Sequence, residues 1–304
     1  MTTSQMTPTA VRSPIESLRA LEDKVLWLSV WMIHYANHIR PARDGLKVGG
    51  HQASCSSITT LMAALYFDVL RPWDRVAVKP HASPVFHAIQ YLLGQQTRDK
   101  LERFRGFGGA QAYPSRTKDG DDVDFSTGSV GLGVAMTSFA ALVQDYVRLR
   151  DFADDGMLRG RMIALAGDGC MQEGVAREAI AFAGHNGLDN LILIYDSNDV
   201  TLDAMAEVTQ SEDAASYFTA VGWEAVTVDG HDLVALAEAL QEAKDNDNGK
   251  PKFIEAKTLI AKGIPEVAGT AAGHGESGVK FAAEARAGLG LPEETFYVSE
   301  EVRT

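Results

Sequence analysis

A chain of 304 residues that is 45% hydrophobic is long enough to close one large α/β core. Its formal net charge of -13 argues against a nucleic-acid partner, because phosphate backbones are held by basic faces. The only cysteines, Cys55 and Cys170, are far apart and in no metal-ligand spacing, which argues against a disulfide framework or a cysteine zinc site. No apolar run reaches membrane-spanning length, so no membrane partner is expected and the cytoplasm is the expected compartment.

Residues 1–12 are rich in Thr and Ser, lack an apolar signal region and read as a tail. Ser13-Pro14-Ile15-Glu16 has the form of a capping box, and Leu18, Leu21, Val25, Leu28 and Met32 follow at helical spacing. This predicts a helix to about residue 39, with Trp27 and Trp31 on a neighbouring stripe in the core or an interface. Gly49-Gly50-His51 breaks the pattern, and a second helix is expected over 54–70. A short β run at 75–78 and helices over 84–93 and 98–104 follow. The Gly- and Asp-rich connection 106–128 is long enough to be functional or mobile. Its acidic run, Asp119, Asp121, Asp122 and Asp124, reads as a solvated loop rather than a metal site. A small-residue-rich helix is expected over 129–149.

The second half alternates. Strands are expected at 161–166, 191–195, 224–228 and 253–257, and helices at 174–186, 214–221 and 233–243. Continuous apolar strands between helices predict a mainly parallel sheet covered on both faces. The expected fold is a doubly wound α/β domain over 13–262 with a helical N-terminal extension. Residues 263–304, with a helix near 279–286, read as a C-terminal tail packing on the domain or on a partner.

Open α/β sheets bind ligands at the carboxyl ends of their strands. Asp168 follows one strand in Gly167-Asp168-Gly169, and Asn198 follows the next in Asp196-Ser197-Asn198-Asp199. Neighbouring strand ends can bring both to one cation. Mg takes oxygen ligands and shares them with phosphates. A carboxylate, an amide oxygen and a backbone carbonyl, that of Val200, leave room for diphosphate oxygens. Gly167 and Gly169 let the backbone approach phosphates, and amides at the next helix start add a favourable dipole. The competing reading is a pair of ordinary turn residues. The segment Gly128-Ser129-Val130-Gly131-Leu132-Gly133 does not fit the dinucleotide fingerprint.

The stretch GDGCMQEGVAREA from Gly167, followed by LDNLILIYDSNDVTLD from Leu188, resembles the thiamine diphosphate motif of transketolases and their relatives. GGHQAS around His51, VKPHASP around His81, STGSVGLG from Ser126, KTLIAKG from Lys257 and GHGE around His274 resemble other blocks in the family's order. The resemblance implies the thiamine diphosphate-binding fold, with thiamine diphosphate and Mg (or Ca or Mn) as cofactors. It matches Asp168, Asn198 and the Val200 carbonyl to metal ligands, and Gly169 to a backbone contact with the diphosphate. It matches His81 and His274 to histidines flanking the diphosphate and thiazolium, and His51 to a substrate-facing histidine. Gly128 and Val130 match the loop against the thiamine rings. Glu173 and Glu178 match glutamates of an interface network. Histidines suit proton relay and, when protonated, donation to a diphosphate. His87 and His185 fall within helices and read as structural.

Full-length members carry a second α/β domain that supplies a glutamate activating the aminopyrimidine, and residues 263–304 cannot build it. The resemblance therefore implies a two-subunit transketolase-like transferase. A separately encoded pyrimidine-binding subunit would supply that glutamate, two copies of each chain assembling into a heterotetramer. The reaction implied moves a two-carbon ketol unit from a ketose (phosphate) donor to an aldehyde acceptor. One departure stands out: a His-Pro pair in sugar transketolases corresponds here to Ala112-Tyr113-Pro114-Ser115-Arg116. That context leans toward a decarboxylating 2-oxo acid (pyruvate) dehydrogenase component, the first alternative. A non-catalytic cofactor-binding scaffold is the second.

Overall fold

The computed structural model describes residues 13–42, 44–150, 152, 158–202, 204–264, 267–274, 286–287, 290–294 and 296–303. The expected tail 1–12 and residues 279–285 of the expected C-terminal helix lie outside them. Helix α1 (Pro14–His34) starts at the capping box: Ser13 N donates to Glu16 Oε2 at 2.8 Å and Ser13 Oγ accepts from Glu16 N at 3.4 Å. Leu18, Val25, Leu28 and Met32 are buried, and Trp27 is buried in a stack with Trp31. The last expected turn is wider than an α-turn, a π-turn over Tyr35–Ile39. Helix α2 (Gln52–Ala64) is buried along its whole length and ends in another π-turn, Leu65–Val69.

Strand β1 (Arg75–Ala77) leads into α3 (Ser83–Leu92) and α4 (Arg98–Glu102). The helix expected from residue 129 begins three residues later as α5 (Leu132–Leu149). Gly131 precedes it at φ +84°, and a Cβ there would stand 2.6 Å from the Glu173 Cβ. Only glycine lets the loop turn that close to the next helix.

Strands β2 (Met162–Gly167), β3 (Leu191–Ser197), β4 (Glu224–Asp229) and β5 (Lys252–Lys257) complete a five-stranded sheet, all parallel, in the order β1-β2-β3-β5-β4. Alternate strand residues feed two cores. Ile163, Leu165, Ile192, Ile194 and Ile254 pack with α1, α2, α3 and α9 (Leu233–Asp245). Ala164, Ala166, Leu193, Tyr195 and Phe253 pack with α5, α7 (Gly174–His185) and α8 (Ala214–Ala220). The N-terminal helices are thus part of the layer over one sheet face, which is why β2 and β3 are buried at every position, while the edge strand β4 is partly exposed. Among the described residues, no helix is long and apolar enough to cross a membrane.

The second core closes tightly around Trp223, whose Nε1 donates to the Ile180 carbonyl at 2.8 Å. A Cβ on Gly184 would lie 1.9 Å from the Val221 carbonyl oxygen and 2.9 Å from Trp223 Cδ1. Gly184→Ala is therefore expected to destabilise the chain by about 2–3 kcal/mol, read as a lower urea midpoint.

The acidic run is not a solvated loop. Asp121 and His87 have fully buried side chains, with Asp121 Oδ2 at 2.7 Å from His87 Nδ1. Asp119 accepts from Gln111 N at 3.0 Å and Ser115 N at 2.8 Å, and Asp124 accepts from Val76 N at 2.8 Å. Of the four, only Asp122 is exposed. The connection lies across β1 and α3, and its buried donors need acceptors where water is excluded.

Candidate functional site

β2 and β3 lie side by side with Gly167 opposite Asp196. The chain leaves β2 into the single turn α6 (Asp168–Met171) and leaves β3 into Asn198-Asp199-Val200. Asp168 Oδ1 accepts from the Tyr195 hydroxyl at 2.8 Å, and Oδ2 accepts from Asn198 N at 3.3 Å. The carboxyl is 2% exposed, and burial pushes its pKa up to about 6 against the opposing Tyr195 hydrogen bond. Among the described residues, no lysine or arginine comes within ion-pair distance of it.

Asn198 is fixed from both ends. Its Nδ2 donates to Asp196 Oδ2 at 3.3 Å, and its Oδ1 accepts from Val200 N at 3.2 Å. Asp199, at φ +61°, adopts the left-handed conformation that aspartate tolerates better than most residues. The reversal is closed by Ala206 N donating to the Asp199 carbonyl at 2.8 Å and by an antiparallel bridge between Val200 and Met205.

Behind these residues lies a polar hub that sequence reasoning missed. The Asp196 carboxylate is completely buried and accepts from Lys79 Nζ, Ser57 Oγ (2.8 Å), Thr258 Oγ1 (2.5 Å) and Asn198 Nδ2. It ties together the ends of β1, β3 and β5 and helix α2. A signal was present: Lys79 follows β1 in the VKPHASP block much as Asp168 follows β2, at the strand ends where ligands collect.

Three histidines cluster beside the hub. His51, at the start of α2, stacks on His81 with ring centroids 3.8 Å apart, and His274 meets them edge-on at 5.6 and 6.5 Å. Burial first, then His274, Arg105 and Lys79, holds His51 down to about 4. Burial first, then His51 and Lys79, holds His81 down to about 3. Both shifts favour the neutral ring near pH 7 in the free chain, in which each ring donates through one N–H and accepts at the other nitrogen.

The same shifts fix a pH dependence. The unfolded histidines take up protons near 6.5, while the folded ones resist until about 4 and about 3. Their stabilising contribution is present above 6.5 and is lost as pH falls towards those values. We expect folding stability to drop by about 1 kcal/mol per pH unit for each histidine across that window, and His81→Gln to flatten the curve, read from urea midpoints.

These groups face one open cleft of about 730 Å³. Asp168, Asn198, Val200, Gly167 and Gly169 form part of its lining, and His81, His274, Val130 and Glu173 contribute to it as well. His51 is joined to the cleft through its stack on His81. Gly128 is exposed near Tyr113, and Glu178 is exposed on α7; neither lines the cleft. His185 closes α7.

The donor set fits a hard divalent cation. A buried carboxylate without a cationic partner sits beside an oriented amide oxygen and a turn carbonyl, all on the cleft.

The sequence profile of the family described as transketolase, thiamine diphosphate binding domain, matches residues 71–304. The chain is 47% identical over 226 residues to the transketolase of Physarum polycephalum, covering 73% of this chain and 34% of that protein. It thus spans about a third of that relative's length. Transketolase from Leishmania mexicana superposes with a TM-score of 0.83 at 27% identity, covering 94% of this chain and 43% of that one. A transketolase from Pichia stipitis in complex with sedoheptulose 7-phosphate gives 0.82 at 28% identity, covering 94% and 43%. The chain belongs to the transketolase family, as its thiamine diphosphate-binding domain.

Proposed function

We propose that this chain holds the diphosphate end of thiamine diphosphate through Mg or a similar divalent cation, as part of an enzyme that moves a two-carbon ketol unit from a ketose phosphate to an aldehyde. The observation that carries the reading is the buried Asp168 carboxylate, without a cationic partner among the described residues, placed against Asn198 at the ends of adjacent parallel strands. Asp168, the Asn198 amide oxygen and the Val200 carbonyl would hold the cation, and Gly167 and Gly169 would leave room for the diphosphate. When bound, the cofactor supplies the electron sink for cleaving a bond next to a carbonyl. His51, His81 and His274 hold and move protons at the substrate's hydroxyl and carbonyl oxygens; the depressed pKa values of His51 and His81 let those two rings act as acceptor and donor. Val130 and Ile260 give the cleft apolar wall, and Gly128 lies on the same loop as Val130.

Residues 13–262 form the binding unit in this reading, and residues 263–304 pack on it or on a partner. A pyrimidine-binding partner chain supplies the activating glutamate, with Glu173 and Glu178 at the interface of a two-plus-two assembly in the cytoplasm. The sugar phosphate in the Pichia stipitis complex supports a ketose phosphate as donor. The chain assayed with its pyrimidine-binding partner should turn over a ketose phosphate with an aldehyde acceptor. Carbon dioxide release from pyruvate without ketol transfer would overturn the donor assignment, and robust turnover by this chain alone would overturn the partner.

A further inference from the structure

A second ligand cluster lies outside the cleft. His87 on α3 and Asp119 and Asp121 in the 106–128 connection each offer one ligand atom, and the three atoms lie within 4.8 Å of one another. None of the three lines the cleft. The His87 and Asp121 side chains are fully buried, while Asp119 is partly buried and Gly120 between the aspartates is exposed. The cluster therefore sits just beneath the surface, within reach of an ion from solvent.

Two details point to a cation. First, Asp121 Oδ1 is buried and has no hydrogen-bond partner. A buried carboxylate oxygen left unpaired is costly, and native proteins usually satisfy it with a donor, a water or an ion. Second, the His87 ring is held as a ligating ring would be. Its Nε2 lies 3.0 Å from the Gln111 carbonyl, which only accepts, so Nε2 carries the proton. Metal-binding imidazoles commonly donate their other N–H to a backbone carbonyl in this way. Nδ1 faces Asp121 Oδ2 at 2.7 Å, another pure acceptor. That distance holds a shared proton in the metal-free chain, and a cation would replace the proton with the two atoms as neighbouring ligands.

We propose that His87, Asp119 and Asp121 form a second divalent-metal site, of the imidazole-and-carboxylate type suited to Zn, Mn or Co, that staples the 106–128 connection to α3. Binding places the cation on Nδ1 and on one oxygen of each aspartate, and the Nδ1 proton leaves to solvent. The two carboxylates balance the charge of the ion. The stapled segment runs on to Gly128 and Val130, so occupancy of this site fixes the root of a cleft-lining loop. The proposal does not depend on the ketol-transfer reading.

Cobalt is a suitable probe, added to the chain with Mg and thiamine diphosphate in excess. The cleft histidines are themselves close enough to take a metal, so the titration uses the His81→Ala background. The expected result is one saturable Co per chain with an imidazole-carboxylate absorption band. Asp119→Asn and Asp121→Asn should each weaken it about tenfold or more. Metal should also slow tryptic cleavage at the exposed Arg116 and Lys118 several-fold. Absence of saturable binding, binding unchanged by the substitutions, or cleavage indifferent to metal overturns the proposal. If Asp121→Asn fails to fold, the more exposed Asp119→Asn decides the matter.

Discussion

Asp168→Ala should weaken Mg-dependent binding of thiamine diphosphate by about 100-fold or more, roughly 3 kcal/mol, while leaving the chain folded. Asp168 is the one full negative charge in the proposed ligand set, so its removal takes away the dominant attraction for the cation. Asn198→Ala removes a neutral amide oxygen and should weaken binding less, by about tenfold. The fold pays a smaller penalty: the Tyr195 hydroxyl and Asn198 N lose their acceptor, a cost of about 1–3 kcal/mol. Calorimetric titration with cofactor and Mg, beside circular dichroism of the same sample, separates the two effects. Equal affinity in Asp168→Ala and the wild type would remove Asp168 from the metal site.

Asp196→Ala should be far more damaging to stability, by about 3–5 kcal/mol. The substitution strands the Lys79 ammonium, whose side chain is 5% exposed, without its counter-charge. It also removes the acceptor for Ser57, Thr258 and Asn198. Against a total folding stability of about 5–15 kcal/mol, this brings the chain much closer to unfolding. Replacing both partners, Lys79→Met with Asp196→Leu, should recover a large part of the loss, because an apolar pair leaves no buried charge uncompensated. Urea denaturation of the two single variants and the double variant measures this coupling. A loss under about 1 kcal/mol in Asp196→Ala would mean that the buried pair carries little of the fold.

Asp168 and Asn198 were legible in the sequence because both the alternation of strands and the chemistry of their neighbours pointed to the same strand ends. The sheet was legible for a similar reason: apolar runs buried on both faces have few other uses. The π-turns after α1 and α2 were not, since the apolar pattern continues through them without a break. Lys79 and Asp196 escaped notice because a charged residue beside a strand usually reaches water, and only the three-dimensional register shows that these two meet. The His87–Asp121 pair escaped for the opposite reason. An acidic run is usually solvated, and nothing local reveals that a histidine on a distant helix and the amides of the same loop turn it inward.

Equilibrium titration of the chain with thiamine diphosphate, in excess Mg and again after chelation with EDTA, tests the central claim most directly. The proposed site predicts saturable binding of one cofactor per chain in Mg and its loss on chelation, because the diphosphate is held through the cation on Asp168 and Asn198. Binding that is indifferent to chelation would contradict it.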